Sequence, residues 1–241
     1  MLDSLVDEAI RTYLAADPEG SQDSLASQRI QAYLDAVLEA NKRINLTRIE
    51  DSESAKLLHI EDSLSSLPEL AKAPEGDYID LGSGGGFPGV PLALASGRRT
   101  LLVDSVKKKM ATVRSILDQL GYSDMIRTYD GRIEDLAIRS PKKFSAATAR
   151  ALSKLPSLLE LASPLLKKEG VLICYKSHVS DEELSSALKI QAYLGMRMIS
   201  DRKFMLSDGV TARDIIVFEK VKEPGLKLPR RIGLAQKKPL A

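Results

Sequence analysis

The sequence contains a single cysteine, no tryptophan and no long hydrophobic run. One cysteine, Cys174, excludes an internal disulfide and a zinc site built from cysteines. Because it lies in the apolar run 170-GVLICYK, we expect a buried thiol. No apolar run approaches the roughly 18 residues that suggest a membrane-spanning helix, and the acidic, amphipathic N-terminus is unlike a secretory signal. We therefore expect a cytoplasmic protein without a membrane partner.

Acidic and basic side chains are unevenly distributed, although the formal net charge of the 241 residues is only +2. Residues 1–70 carry six basic and fourteen acidic side chains, for a net charge of −8. Residues 220–241 carry seven basic side chains and one acidic side chain, for a net charge of +6. This asymmetry indicates contact with a polyanion near the C-terminus, although a solvated tail would have the same composition.

The spacing of apolar residues divides the chain into a helical region (1–72), an α/β domain (73–221) and a basic tail (222–241). Helical spacing, as in 28-QRIQAYLDAVLEANKRI, predicts helices at 2–16, 25–43 and 53–66. From residue 77, short apolar runs alternate with helical stretches near 88–97, 106–120, 153–168 and 180–194, which predicts parallel strands joined by crossover helices. The predicted strands are 78-YIDL, 100-TLLVD, 124-DMIRTYD, 144-FSAATA and 170-GVLICYK.

Two more strand-like runs end the α/β domain, 197-RMISDRKFML and 211-TARDIIVFEK, with only 207-SDGV between them. An Asp-Gly pair between such runs is typical of an antiparallel hairpin. We therefore expect a mostly parallel, Rossmann-like sheet that ends in a hairpin. After Val221 the chain is rich in lysine, proline and glycine, and we expect little regular structure there.

A glycine-rich loop, 80-DLGSGGGFPG, follows the first predicted strand. Gly84, Gly86 and Gly89 match the dinucleotide pattern G-x-G-x-x-G. Asp80, Gly82, Gly84 and Gly86 also match the D-x-G-x-G-x-G loop of S-adenosylmethionine-dependent methyltransferases. Asp104, at the end of the second strand, suits the ribose of either cofactor. A purely structural turn is a third interpretation. The two histidines lie in no recognisable catalytic setting, which favours the methyltransferase over an oxidoreductase.

Several segments together resemble one family closely. They are 45-NLT, 59-HIEDSL, 80-DLGSGGGFPGVPLA, 103-VDSVKKK, 132-RIED, 149-ARAL and 229-PRRIG, in this order. The chain is similar from about residue 28 onward to the bacterial ribosomal RNA small subunit methyltransferase G family, also called glucose-inhibited division protein B. The resemblance implies a class I methyltransferase fold behind an N-terminal helical region. It also implies methyl transfer from S-adenosylmethionine to N7 of one guanine in 16S ribosomal RNA. We expect the partner to be this RNA or the small ribosomal subunit, and the protein to be a monomer.

The resemblance also implies roles for individual residues. The cofactor residues would be Gly82, Phe87, Ile133, Glu134 and Arg150, and we add Asp104 for the ribose. Gly82 would allow the backbone to approach the methionine portion of the cofactor, and Phe87 would form one side of the pocket. Ile133 and Glu134 would lie beside the adenine. Arg150 would meet the cofactor carboxylate or the RNA. Predicted RNA contacts are Lys176, Arg230 and Arg231, with one of Lys107, Lys108 and Lys109 as a further candidate. Asn45, His59 and Asp62 would form a second wall.

No catalytic residue is predicted, because guanine N7 carries a lone pair and no proton. Methylation there needs no general base, so the protein's task would be alignment and electrostatics. Three other functions remain open at this point. They are a nicotinamide-dependent oxidoreductase, a non-catalytic RNA-binding module, and a methyltransferase for another RNA or a small molecule.

Overall fold

The computed structural model describes residues 22–49 and 51–240. Helix α1 (Gln22–Asn41) covers the second predicted helix, and its apolar face, with Ile30, Tyr33 and Leu34, is buried. This is the face that the helical spacing of its apolar residues predicts. The helix predicted at residues 2–16 lies outside the described residues.

The third predicted helix is divided into several pieces. Helix α2 (Ser52–Ala55) begins at Asp51, whose carboxylate accepts the Ser54 N–H at 2.7 Å. A π-helical segment (Lys56–Glu61) follows, then α3 (Asp62–Leu64) and α4 (Leu67–Lys72). In the π-helical segment the Asp62 N–H bonds to Leu57 O, five residues back, instead of to Leu58 O. No local sequence pattern predicts this change from α-helical to π-helical hydrogen bonding.

The α/β domain contains one seven-stranded sheet in the order β3-β2-β1-β4-β5-β7-β6. Its strands are β1 (Tyr78–Leu81), β2 (Thr100–Val103), β3 (Ile126–Tyr129), β4 (Phe144–Arg150), β5 (Leu166–Lys176), β6 (Met196–Met205) and β7 (Ala212–Lys220). β1 to β5 are parallel, and β7 runs antiparallel to both β5 and β6. The expected mostly parallel sheet with a terminal hairpin is therefore confirmed.

Helices connect the parallel strands and cover both faces of the sheet. They are α5 (Gly89–Ser96), α6 (Lys107–Gln119), α7 (Ile133–Arg139), α8 (Leu155–Ala162) and α9 (Asp181–Gln191), and a short α10 (Leu234–Lys237) lies in the tail. Successive β1 residues point to opposite faces, so that Tyr78 joins the core beneath α1, whereas Ile79 joins the core beneath α8. Because both faces are buried, the loops at the carboxyl edge remain as the place for a ligand.

Helix α7 (Ile133–Arg139) was not predicted, and two further differences from the sequence prediction concern boundaries. The helix predicted at 153–168 ends at Ala162, and Pro164 has no N–H to continue it. β5 begins earlier than predicted, at Leu166, and its pairing with β4 shifts register between Phe144 and Ala146. Cys174 is buried as expected, and burial raises the pKa of its thiol to about 12. Within residues 22–49 and 51–240, no helix has the length and apolarity needed to cross a bilayer.

Candidate functional site

The glycine-rich loop after β1 is shaped largely by the protein's own packing. A Cβ on Gly86 would lie 2.1 Å from the hydroxyl of Tyr33, and a Cβ on Gly89 would lie 2.3 Å from Leu102. Tyr33 also donates to Gly85 O at 2.9 Å, which fixes α1 against the loop. Gly84 differs, because its φ is 55° and a Cβ added there would have no atom within 4 Å. Packing therefore accounts for two of the three glycines in the dinucleotide-like pattern.

Asp80 supports this loop from below. Its carboxylate accepts the Thr148 hydroxyl at 2.7 Å and the Gly89 N–H at 3.1 Å. The side chain is fully buried, and desolvation raises the pKa of the carboxyl to about 6 despite these hydrogen bonds. The acid at the start of the loop is therefore a structural support that fixes the first turn of α5.

Asp104 occupies the position expected of a ribose acceptor. Its Oδ2 accepts the Gly84 N–H at 2.9 Å, and its Oδ1 accepts the Val106 N–H at 2.8 Å. Each oxygen keeps a further lone pair, because a carboxylate offers about four acceptor positions. Asp104 lines a cavity of about 70 Å³ together with Gly82, Ile133 and Glu134. The structure thus brings four of the six predicted cofactor residues together.

Residues from two distant segments also line this cavity. Leu152 follows β4, and its side chain covers Gly82, where a Cβ would lie 2.8 Å from Leu152 Cδ1. Gln236 belongs to α10 in the C-terminal tail. Glu134 is buried, and its Oε1 accepts the Gly233 N–H of the same tail at 2.7 Å. The sequence predicted that the tail contacts RNA. It did not predict that the tail lines this cavity.

Phe87, the fifth predicted cofactor residue, connects the loop to the helical region. Its ring stacks on His59 with centroids 4.4 Å apart and meets Tyr33 edge-on at 5.6 Å. His59 Nε2 lies 2.8 Å from Thr47 Oγ1, and Nδ1 has no hydrogen-bond partner in the part of the chain that the structure describes. Burial, and secondarily the charge of Arg150, lowers the pKa of His59 to about 4. The imidazole is therefore neutral at pH 7.

A second, wider cavity of about 540 Å³ lies beside the first, and His59 lines it. On one wall, Asp62 holds two arginines: it accepts from Arg150 Nη1 at 3.0 Å and from Arg213 Nε at 2.9 Å. Arg150 Nη1 also donates to Leu58 O, the carbonyl that Asp62 N–H bypasses in the π-helical register. Nε and Nη2 of Arg150 have no partner among the described residues, so that they can serve a ligand.

Arg213 was not predicted. It stands at the start of β7, and the antiparallel pairing of Lys176 with Asp214 brings this end of β7 to the carboxyl edge of β5. The hairpin was predicted from the sequence. Because an antiparallel last strand begins at the carboxyl edge of the sheet, the position of Arg213 near the start of that strand could have indicated it as a site residue. Lys176 lines the same cavity, and its Nζ contacts Glu183 Oε1 at 2.6 Å and Ser153 O at 2.9 Å.

The predicted second wall is only partly assembled. His59 and Asp62 line the wider cavity, whereas Asn45 is exposed and is not among its lining residues. The neighbouring loop is instead ordered by Asn41, whose Oδ1 accepts the N–H groups of Leu46 and Thr47 at 2.7 and 2.9 Å. An asparagine at the end of a helix can bond the backbone that follows it, which explains why the side chain at position 41 acts here.

The two arginines predicted to contact RNA lie in different environments. Arg230 donates from Nε and Nη2 to the buried Glu160, at 2.6 and 2.5 Å, and from Nη2 to Lys238 O at 2.8 Å. This guanidinium is therefore paired with a protein carboxylate, and its contact with RNA stays a prediction. Arg231 is exposed. At the start of α6, Lys107 and Lys108 are also exposed, and Lys109 Nζ lies 3.4 Å from Leu46 O.

Comparison with known proteins gives consistent results. A family described as rRNA small subunit methyltransferase G matches residues 26–204. The ribosomal RNA small subunit methyltransferase G of Lactobacillus helveticus is 32% identical over 218 residues, which cover 88% of this chain and 90% of the relative. The protein of the same name from Oenococcus oeni is 35% identical over 216 residues, with coverages of 87% and 88%.

Solved structures support the same fold. An O-methyltransferase from Bacillus cereus, in complex with SAH, superposes with a TM-score of 0.56 at 18% identity and covers 91% of this chain and 100% of its own. A geranyl diphosphate methyltransferase in complex with GPP and sinefungin gives 0.53 at 15% identity and covers 66% and 76%. At such identities the likeness concerns the fold alone.

Proposed function

Because the chain belongs to the ribosomal RNA small subunit methyltransferase G family and is an S-adenosylmethionine-dependent methyltransferase, we propose that it methylates N7 of a guanine in 16S ribosomal RNA. One observation carries the proposal: residues 150–153 separate two cavities at the carboxyl edge of the sheet. Leu152 lines the smaller cavity with Gly82 and Asp104, whereas Arg150 and Ser153 line the wider one. The adenosine portion of a cofactor in the smaller cavity would lie on one side of this segment, its methionine portion would reach Arg150, and an acceptor base in the wider cavity would lie next to it.

The smaller cavity fits the adenosine portion of the cofactor in its chemistry. Asp104 offers free lone pairs to ribose hydroxyls, Ile133 offers an apolar surface, and Glu134 Oε2 has no partner among the described residues and could accept from an amino group. The free N–H groups of Arg150 would hold the carboxylate of the methionine portion. When bound there, the cofactor supplies a methyl group on a sulfonium, which is already a good leaving group.

The wider cavity suits a guanine that is attached to a phosphate backbone. Arg150, Arg213 and Lys176 give it an excess of positive charge over Asp62 and Glu183, which favours a polyanion. His59 is neutral at pH 7 and adds no further cation where the purine acquires positive charge. The work of these residues is to bind, orient and desolvate the base, since N7 has no proton to remove.

Exposed cations around this edge provide a surface for RNA. Lys107 and Lys108 follow β2, Arg132 follows β3 and Lys154 follows β4, whereas Arg231 lies in the tail, two residues before Gly233. Phosphate contacts of this kind fix the position of an RNA without reading its sequence. We infer that the partner is 16S ribosomal RNA or the small ribosomal subunit, that the enzyme acts in the cytoplasm, and that it acts as a monomer.

Binding and transfer assays test the proposal together. The folded chain should bind methyl-labelled S-adenosylmethionine in equilibrium dialysis, and NAD should not compete. It should then transfer label to small ribosomal subunits or 16S RNA in preference to transfer RNA. The Asp104→Ala variant should bind less cofactor, whereas Asp118→Ala, on the exposed side of α6, is the matched control. Competition by NAD would favour the oxidoreductase, and cofactor binding without transfer would favour a non-catalytic RNA-binding module.

A further inference from the structure

The basic C-terminal tail, residues 222–241, is attached to the walls of the smaller cavity. The Gly233 N–H reaches Glu134 Oε1 at 2.7 Å, and Gln236 Nε2 reaches Leu152 O at 3.4 Å. Both acceptor residues line that cavity, and so does Gln236 itself. Ala235, between the two donors, is only 2% exposed and packs into the core beneath α8. The tail is therefore a wall of this cavity.

An ion pair with a buried carboxylate anchors the tail three residues before Gly233. Glu160 on α8 is 2% exposed, and Arg230 meets both of its carboxylate oxygens. A carboxylate buried to this extent requires a partner, and a two-bond pair with arginine also fixes direction. Between β7 and Gly233 the tail has no helix or strand, and α10 has only four residues. Regular secondary structure therefore contributes little to holding this segment. The Arg230–Glu160 pair holds it beside the smaller cavity, together with the buried Ala235 and a hydrogen bond from the Gly225 N–H to Tyr193 O at 2.7 Å.

We propose that the C-terminal tail completes the adenosine part of the cofactor site, and that the Arg230–Glu160 pair sets the affinity for S-adenosylmethionine by holding Gly233 and Gln236 in the cavity wall. This inference rests on the proposed function, because it takes the smaller cavity as the adenosine site.

Adjacent arginines make the test sharp. Arg230 is bound to Glu160, and Arg231 is exposed, so that Arg230→Met and Arg231→Met remove the same charge from neighbouring positions. Lys227→Met is a charge control, because the Lys227 side chain has no hydrogen bond or ion pair with any described residue. Gln236→Ala removes a side chain of the cavity wall directly. Because this side chain is exposed, the variant can be used even if Arg230→Met unfolds. Arg230→Lys keeps the charge and loses the two-bond geometry.

We expect Arg230→Met to weaken S-adenosylmethionine binding roughly tenfold and Gln236→Ala to weaken it roughly threefold, the range of one lost hydrogen-bonded contact. Arg230→Lys should recover part of the affinity. In steady state the KM for the cofactor should rise while kcat changes little, a signature that general loss of folded protein does not give. Arg231→Met should leave the cofactor Kd unchanged and reduce the salt dependence of RNA binding, by roughly 0.7–0.9 in slope per lost phosphate contact.

The measurements are equilibrium dialysis with labelled S-adenosylmethionine, RNA binding as a function of salt, and thermal denaturation without ligand. If Arg230→Met and Gln236→Ala both bind S-adenosylmethionine with the Kd of the wild type, the proposed role of the tail is wrong. The proposed function would remain intact. Tighter binding in either variant would also overturn the role of the tail, because the tail would then obstruct the site. A folded wild-type chain that binds no S-adenosylmethionine would instead overturn the proposed function.

Discussion

Replacing Asp62 by asparagine should destabilise the protein and disorganise the wider cavity. Asp62 is 3% exposed and holds Arg150 and Arg213, whose side chains are 16% and 15% exposed. An asparagine keeps one carbonyl oxygen, but its amide N–H₂ faces an arginine N–H, so that one hydrogen bond becomes a contact between two donors. The substitution also leaves two largely buried cations without their shared counter-charge.

The expected loss of stability is about 3 kcal/mol, the lower end of the range for breaking a buried ion pair, since both arginines keep some contact with solvent. That loss lowers the ratio of folded to unfolded protein more than about a hundredfold. The ion pair between Lys42 and Glu39 provides a matched control, because its side chains are 71% and 60% exposed. Glu39→Gln should leave the free energy of unfolding nearly unchanged, because solvent screens this exposed pair.

Urea denaturation followed by circular dichroism measures both variants, and cofactor and RNA affinities are measured on the folded fraction. Asp62→Asn should lower both affinities, because Arg150 and Arg213 lose their orientation. The outcome that would refute this reasoning is a loss below about 1 kcal/mol for Asp62→Asn, close to that of the surface control. In that case the arginines would be stabilised by solvent or by backbone carbonyls such as Leu58 O, and the carboxylate would not organise the site.

Three further predictions concern single side chains. The folded-state pKa of His59, about 4, lies below its ordinary value, so its contribution to stability is full above pH 6.5 and is lost as the pH falls through 4. The free energy of unfolding of His59→Phe should therefore fall less steeply than that of the wild type as the pH decreases. The two slopes should differ by up to about 1.4 kcal/mol per pH unit in urea denaturation between pH 4.5 and 6.5. Parallel curves for the variant and the wild type would exclude the burial of a neutral imidazole. Gly89→Ala should cost about 1–3 kcal/mol in thermal denaturation, because the added Cβ would lie 2.3 Å from Leu102; a wild-type melting temperature would show that the loop can shift. Asp104→Asn should weaken cofactor binding roughly tenfold or more in equilibrium dialysis, the cost of losing a charged hydrogen-bond acceptor; an unchanged Kd would remove Asp104 from the ribose site.

The sequence predicted most of the fold because the relevant signals are local. The strand Tyr78–Leu81 is an apolar run bounded by turn residues, and the hairpin has an Asp-Gly turn. Asp104 could be placed because the acid at the end of the second strand follows from the order of the elements. Boundaries were weaker, as in β5, because its first half lies in a charged stretch without strand-like alternation.

The parts of the site that were missed depend on partners far along the chain. Gly233 and Glu134 are 99 residues apart, and Arg213 and Asp62 are 151 residues apart. Periodicity shows which face of an element is buried, but it does not show which side chain that face meets. Composition also favoured RNA contact for both Arg230 and Arg231, because a charge count cannot distinguish a cation on a buried glutamate from a cation in solvent.

Identification of the methylated atom is the decisive experiment for methylation of 16S ribosomal RNA at guanine N7. Small ribosomal subunits lacking the modification would be incubated with the enzyme and methyl-labelled S-adenosylmethionine, and the extracted 16S RNA would be cleaved chemically at N7-methylguanine. We expect label in the RNA and enzyme-dependent cleavage at a single guanine. Label on another RNA, or in 16S RNA without cleavage at N7-methylguanine, would contradict it.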